Sequence, residues 1–291
     1  MAKFTLFKYD KPGKGVSRDA PRKKGAALYF SVLLKRFWKF ITLNLLYIVI
    51  SLPAILVSWV LSSFFVTWSA TLGQVDIDKS APQLMIISVL VGVVLLLVTG
   101  SGPASAAMSY IMRKYANDTH AWAVSEFYEQ TKINFKQGMA VYFINVVITA
   151  CLLVAYNFYS YTFSGLTAVF FRVCIALAML LFIFSQFYVY HLMAGYKMKL
   201  RHIYKSALLL SLAQFGMNFA ILGVVCVIAY ANLYLFAGTS LGGLLFFGLL
   251  LFSLVTYTEV FMTDKLIKKA LRDPSYTQEE SDNYEKDEMF E

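Results

Sequence analysis

Six stretches of this chain stay apolar long enough to cross a bilayer: Phe40–Val66, Leu84–Met112, Met139–Phe158, Leu166–Leu192, Phe215–Phe236 and Leu241–Met262. A hydrocarbon layer about 30 Å thick needs roughly 20 residues of helix, and each run approaches or exceeds that length. The segment from Leu84 to Val98 carries no charge at all. The runs are continuously apolar and do not alternate with period two, which predicts helices and excludes the strands of a barrel.

A second pattern precedes every odd-numbered run. Phe30, Leu33, Leu34, Phe37 and Ile41 recur at helical spacing, with Lys35, Arg36 and Lys39 toward the other side. Val124, Phe127, Tyr128, Thr131 and Phe135 form a similar stripe before the third run. Leu200, Ile203, Tyr204, Ala207, Leu208 and Ser211 do so before the fifth. Such amphipathic helices lie in the membrane interface by default, with basic residues reaching toward headgroups. A cytoplasmic docking collar is the functional alternative. The predicted unit is an elbow helix, a span out and a span back, three times over.

Composition sharpens this picture. Of 291 residues, 59% are apolar and only 15% charged, against about 45–50% and about 25% in a soluble domain. Mean hydropathy is +0.62. A water-soluble enzyme is excluded. The net charge of +9 could suggest nucleic acid, but its placement suggests topology instead. Eleven of the 26 basic residues lie between Lys3 and Lys39; four follow the second run, four the fourth and five the sixth, leaving Lys79 and Arg172 for the other side. Basic residues collect in the cytoplasm, so both termini are expected inside. No signal peptide is expected, since the first 39 residues are basic and polar. The organisation expected is a basic segment with its elbow (1–39), a six-helix domain (40–264) and an acidic, solvated tail (265–291).

Candidate functional positions are few. Small residues end the second run: Gly100 and Ala104, then Gly102 and Ala106, are paired at the spacing that lets helices approach closely, and Pro103 can kink the chain. Packing is the first explanation; a broken helix lining a substrate cavity is the second. Gly242, Gly243 and Gly248 offer a small-residue face on the sixth run. Each outward run carries an asparagine in its inner half, Asn44, Asn145 and Asn218, and Gln186 and Asn232 are further polar positions. Interhelical hydrogen bonding accounts for these more readily than a solute path. Glu259 is the lone acid within a run, five residues before Asp264; it reads as an interfacial acid or as an ion-coupling site.

Motifs of catalysis are missing. HExxH, GxSxG and a complete phosphate loop do not occur, and Lys11–Pro12–Gly13–Lys14–Gly15 lacks the phosphate-loop spacing. Cys151, Cys174 and Cys226 lie in apolar runs, and His120, His191 and His202 are scattered. Neither an enzyme, a cofactor, a metal site nor a nucleic-acid partner is expected.

Several stretches together resemble the YesL-like membrane proteins of Gram-positive bacteria. They are Phe7–Lys8–Tyr9–Asp10–Lys11–Pro12–Gly13, Lys35–Arg36–Phe37–Trp38–Lys39, Leu43–Asn44–Leu45–Leu46–Tyr47, Leu52–Pro53, Gly102–Pro103–Ala104, Arg113–Lys114–Tyr115 and Asn134–Phe135–Lys136–Gln137. That resemblance implies genomic company with carbohydrate ABC importers and sugar-responsive two-component systems, and no established activity. The expected function is therefore a non-catalytic accessory subunit in the bacterial cell membrane, contacting lipid and carbohydrate ABC importer permeases. A small-solute transporter or channel acting alone is the alternative. The connection Arg113–Lys136 lacks the pattern by which a principal permease engages its ATPase.

Overall fold

The computed structural model describes residues 25–271. The amino-terminal segment before Gly25 and nearly all of the acidic tail lie outside the described residues. Within them the fold is all-α, and six helices are long and apolar enough to cross a membrane: Phe37–Leu72, Lys79–Thr99, Phe135–Thr162, Gly165–Gly195, Phe215–Leu235 and Phe247–Ala270. The protein is a polytopic membrane protein. Large apolar side chains are exposed along most of these helices, as hydrocarbon-facing surfaces require.

The three elbows are distinct helices. α1 (Gly25–Lys35) leads into α2 (Phe37–Leu72), α5 (Ala123–Ile133) into α6 (Phe135–Thr162), and α8 (Leu200–Ala213) into α9 (Phe215–Gly238). The stripe expected to run unbroken from Phe30 to Ile41 is divided at Arg36, so Phe37 and Ile41 belong to the span. Each stripe also splits by surroundings. Phe127, Ile203 and Ala207 are buried against the protein, whereas Tyr128 and Leu208 are exposed; in α1 the buried residue is Val32, off the expected stripe, and Phe30 and Leu34 are exposed. An interfacial helix needs both faces apolar in this way when protein lies on one side and lipid on another.

The second run departs from expectation. It is not one helix from Leu84 to Met112 but two, α3 (Ile77–Thr99) and α4 (Pro103–Ala116), separated by Gly100–Ser101–Gly102. Two glycines at φ +69° and +71° turn the chain through the left-handed region, and Pro103 supplies the first residue of α4 without needing a backbone donor. A side chain at Gly100 would collide with the Tyr190 ring, and a Cβ on Gly102 would sit 2.8 Å from the Gly138 carbonyl oxygen. The small residues thus serve both a break and a close approach.

α4 then becomes the axis of the molecule. Every residue from Pro103 to Ser109 is buried. One apolar cluster gathers Phe40, Leu43, Met108, Met112, Tyr115 and Tyr257 on one side of α4. A second gathers Phe184, Tyr188, Leu192, Ile203 and Ile221, reached through Ala106. α7 (Gly165–Gly195) packs on α4, α6 and α8.

The sixth run is expected as Leu241–Met262 and observed as α10 (Ser240–Phe246), a π-helical turn at Phe247–Leu251, and α11 (Phe252–Ala270). It continues past the expected domain end at 264. A π turn shifts the hydrogen-bond register and leaves backbone groups without their usual partners. Asn44 meets them. Its Nδ2 donates to the carbonyls of Phe247 (3.0 Å) and Gly248 (2.7 Å), and its Oδ1 accepts from the Ser253 N–H at 2.9 Å. Asn44 is fully buried. Asn44→Ala is expected to cost about 2–3 kcal/mol, because buried backbone groups lose their partners. A melting temperature in detergent that stays at the wild-type value would show the π turn to be self-sufficient.

Candidate functional site

Breaking a helix inside the membrane frees carbonyls at one end and N–H groups at the other, and no water is available to meet them. The carbonyl of Thr99 accepts from the Tyr190 hydroxyl at 2.6 Å and from Asn145 Nδ2 at 3.0 Å. The N–H of Ser101 is met by Ser105 Oγ at 2.8 Å, which also lies 3.1 Å from the Tyr47 hydroxyl. Asn145 further donates to Gln186 Oε1 (2.8 Å) and accepts from Tyr204 Oη (2.8 Å). Asn218, also fully buried, accepts from the Tyr188 hydroxyl at 2.6 Å and donates to the Ser211 carbonyl at 2.8 Å. Asn232 donates to the Gly243 carbonyl. The structure therefore brings Gly100, Asn145 and Gln186 together at the break, and places Asn44 and Asn218 at separate junctions.

Beside the break lies a cavity of about 170 Å³, walled by Tyr47, Gly100, Ser105, Gln186, Tyr190, His191 and Glu259. Glu259 is partly buried, and its carboxylate has no hydrogen-bond or ion-pair partner among the described residues. Gly242, Gly243 and Gly248 lie away from this cavity. A Cβ at Gly248 would meet nothing within 4 Å, whereas one at Gly242 would press on Thr239 Oγ1.

Below the cavity sits a charge cluster that no local pattern singles out. Asp264 pairs with Arg113 Nε (2.9 Å), Lys268 Nζ (3.1 Å) and His191 Nε2 (3.2 Å), and all but Arg113 are nearly inaccessible. Asn117 donates to Asp264 Oδ2 at 3.1 Å and accepts from Lys268 at 3.0 Å. The Thr263 hydroxyl lies 2.7 Å from the Glu259 carbonyl and 3.0 Å from His191 Nδ1. His191 thus connects the cavity wall to the cluster. Gly195 makes room for the guanidinium, since a Cβ there would strike Arg113 Nη1. The spacing of Asp264 and Lys268, one turn apart on a helix, is the one signal in the sequence; Arg113 and His191 come from 151 and 73 residues away.

A second, outer pair joins α4 to α5, the elbow of α6. Burial would raise the Glu126 carboxyl, but the Lys114 ammonium at 2.8 Å and the Trp122 N–H outweigh it and hold Glu126 below its ordinary range. The same hydrogen bond raises Lys114.

Residues 31–158 match the model of a family described as a protein of unknown function, DUF624. The matched region carries Asn44, the break, Arg113 and Asn145, and stops before His191, Glu259 and Asp264. No match was found among curated proteins or solved structures.

Removing the Asp264 charge leaves two buried cations facing an amide. Asp264→Asn is expected to destabilise the fold by about 3–5 kcal/mol, while replacing Arg113, Asp264 and Lys268 together by apolar residues of similar size should recover most of that loss. Thermal unfolding in detergent reads both; a harmless Asp264→Asn would show that the cluster holds little.

Proposed function

We propose that this chain is a YesL-like, non-catalytic accessory subunit of the bacterial cell membrane, both termini cytoplasmic, assisting a carbohydrate ABC importer or a sugar-responsive signalling complex. The observation that carries this reading is that the intramembrane amide side chains are engaged within the fold, leaving Glu259 as the one acid of the spans without a partner among the described residues. Asn44, Asn145, Asn218 and Gln186 are all engaged in hydrogen bonds to their own neighbours, so they line no continuous polar path. What stays available for contact is surface: exposed aromatic residues on and beside the elbows (Phe30, Trp38, Trp122, Tyr128) and the open side of Gly248.

A second reading, a small-solute transporter acting alone, is favoured by one observation, the cavity at the broken helix. Discontinuous helices place backbone ends at solute sites in many transporters.

The two readings separate on purification from the native membrane. Co-elution of an importer permease supports the accessory role, and a clean homo-oligomer that carries solute in proteoliposomes supports the second. Gly248→Leu should lower permease recovery while leaving the melting temperature unchanged or raised, since leucine favours helix over glycine by about 0.8–1 kcal/mol. Unchanged recovery would move the contact to the elbows. The orientation has its own test: cysteines placed at Gly73 and Gly238 should label from outside, and at Gly13 and Ser281 from the cytoplasm. The reverse pattern at any of the four would overturn it.

A further inference from the structure

The cavity beside the break poses a chemical problem that the fold leaves open. Its wall is mainly hydrocarbon and aromatic, with Tyr47, Phe187, Tyr190 and Phe252 among the lining side chains, yet Glu259 also faces it. A carboxylate in such surroundings is costly unless a cation or hydrogen-bond donors accompany it, and Glu259 has neither among the described residues. Two neighbouring hydroxyls are turned elsewhere: Tyr190 donates to Thr99, and Ser105 is shared by Ser101 and Tyr47.

The make-up of the wall favours one class of cation. A metal ion stripped of water needs six or more oxygen ligands to replace its hydration shell, and this wall is mainly hydrocarbon and aromatic. An alkylammonium ion needs one counter-charge and apolar or aromatic contact around it. The location of the cavity agrees. Val94 on α3 and Cys226 on α9 both line the cavity and are both exposed. The cavity thus lies close to the lipid-facing surface of the bundle, where a hydrated metal ion is disfavoured.

We propose that this cavity binds a small organic ammonium ion, its charge paired with the Glu259 carboxylate and its alkyl groups lodged against Tyr47, Phe187, Tyr190 and Phe252. The site stands apart from the accessory role. It shares the cavity with the transporter reading, but binding is measured directly, so failure of transport leaves the inference standing.

Equilibrium dialysis of radiolabelled tetraethylammonium against the detergent-solubilised full chain, with empty micelles subtracted, tests it. Saturable retention near one ion per chain is expected, with competition by choline and none by its neutral isostere 3,3-dimethylbutan-1-ol or by excess sodium chloride. Glu259→Gln should weaken retention by at least about thirtyfold, the effect of removing one partner of a desolvated charge pair. Ala229→Phe, which fills the cavity without touching the charge, should abolish retention at an unchanged melting temperature, and it keeps the test decisive if Glu259→Gln fails to fold. Absence of saturable retention, equal retention in a folded Glu259→Gln protein or in Ala229→Phe, equal competition by the neutral isostere, or equal competition by sodium would each overturn the proposal.

Discussion

A backbone amide inside hydrocarbon has no water to turn to, and this fold is organised around the places where its helices fail to satisfy their own. Among the described residues two such places stand out. At Gly100–Gly102 a span stops and restarts, and at Phe247–Leu251 another widens into a π turn. Both are met by amide side chains from the elbow-proximal halves of other spans, Asn145 at the first and Asn44 at the second. Remove these side chains and the irregularities become unaffordable; keep them and the irregularities become useful. The break turns α4 into a central post around which both apolar clusters assemble, and it opens the cavity at its side.

The charge cluster follows from the same constraint. α4 ends within reach of α7 and α11, so Arg113 meets Asp264 and His191 where the bundle is already dry. A lone buried carboxylate there would be prohibitive, and three cationic or polar partners plus Asn117 offset it. The cluster ties the three helices that also wall the cavity, and His191 belongs to both. Whatever occupies the cavity is therefore mechanically close to the junction that holds α4, α7 and α11 together.

The six spans and the three elbows were legible because each rests on a local regularity, either twenty apolar residues in a row or a repeat of 3.6. The break was half legible. Gly100, Gly102 and Pro103 announce a bend, but a hydropathy run crosses them undisturbed, and only Tyr190 and Gly138, brought in from other helices, decide that the chain stops there. The π turn has no local signature beyond Gly248, since its cause is Asn44 some 200 residues away. The charge cluster was illegible for the same reason. Asp264 looks like the polar edge of a span, and its role depends on partners that sequence order keeps far apart.

The three asparagines of the spans that follow an elbow bear on whether the elbow-and-hairpin units share an origin. Their depths correspond, and all three are fully buried, yet their partners do not correspond. Asn44 bonds the first span to the last, Asn145 bonds the third to the break in the second and to the fourth, and Asn218 bonds the fifth to the fourth and to its own elbow. A copied unit would be expected to carry its internal contacts with it. Here only Asn218 holds its own elbow, and the other two reach outside their units. The common feature is then a physical requirement: each of these spans enters the dry interior just after an elbow, where one compact amide, donor and acceptor at once, can satisfy whatever backbone the neighbouring helices leave open. Three units under one requirement arrive at the same residue without needing the same bonds.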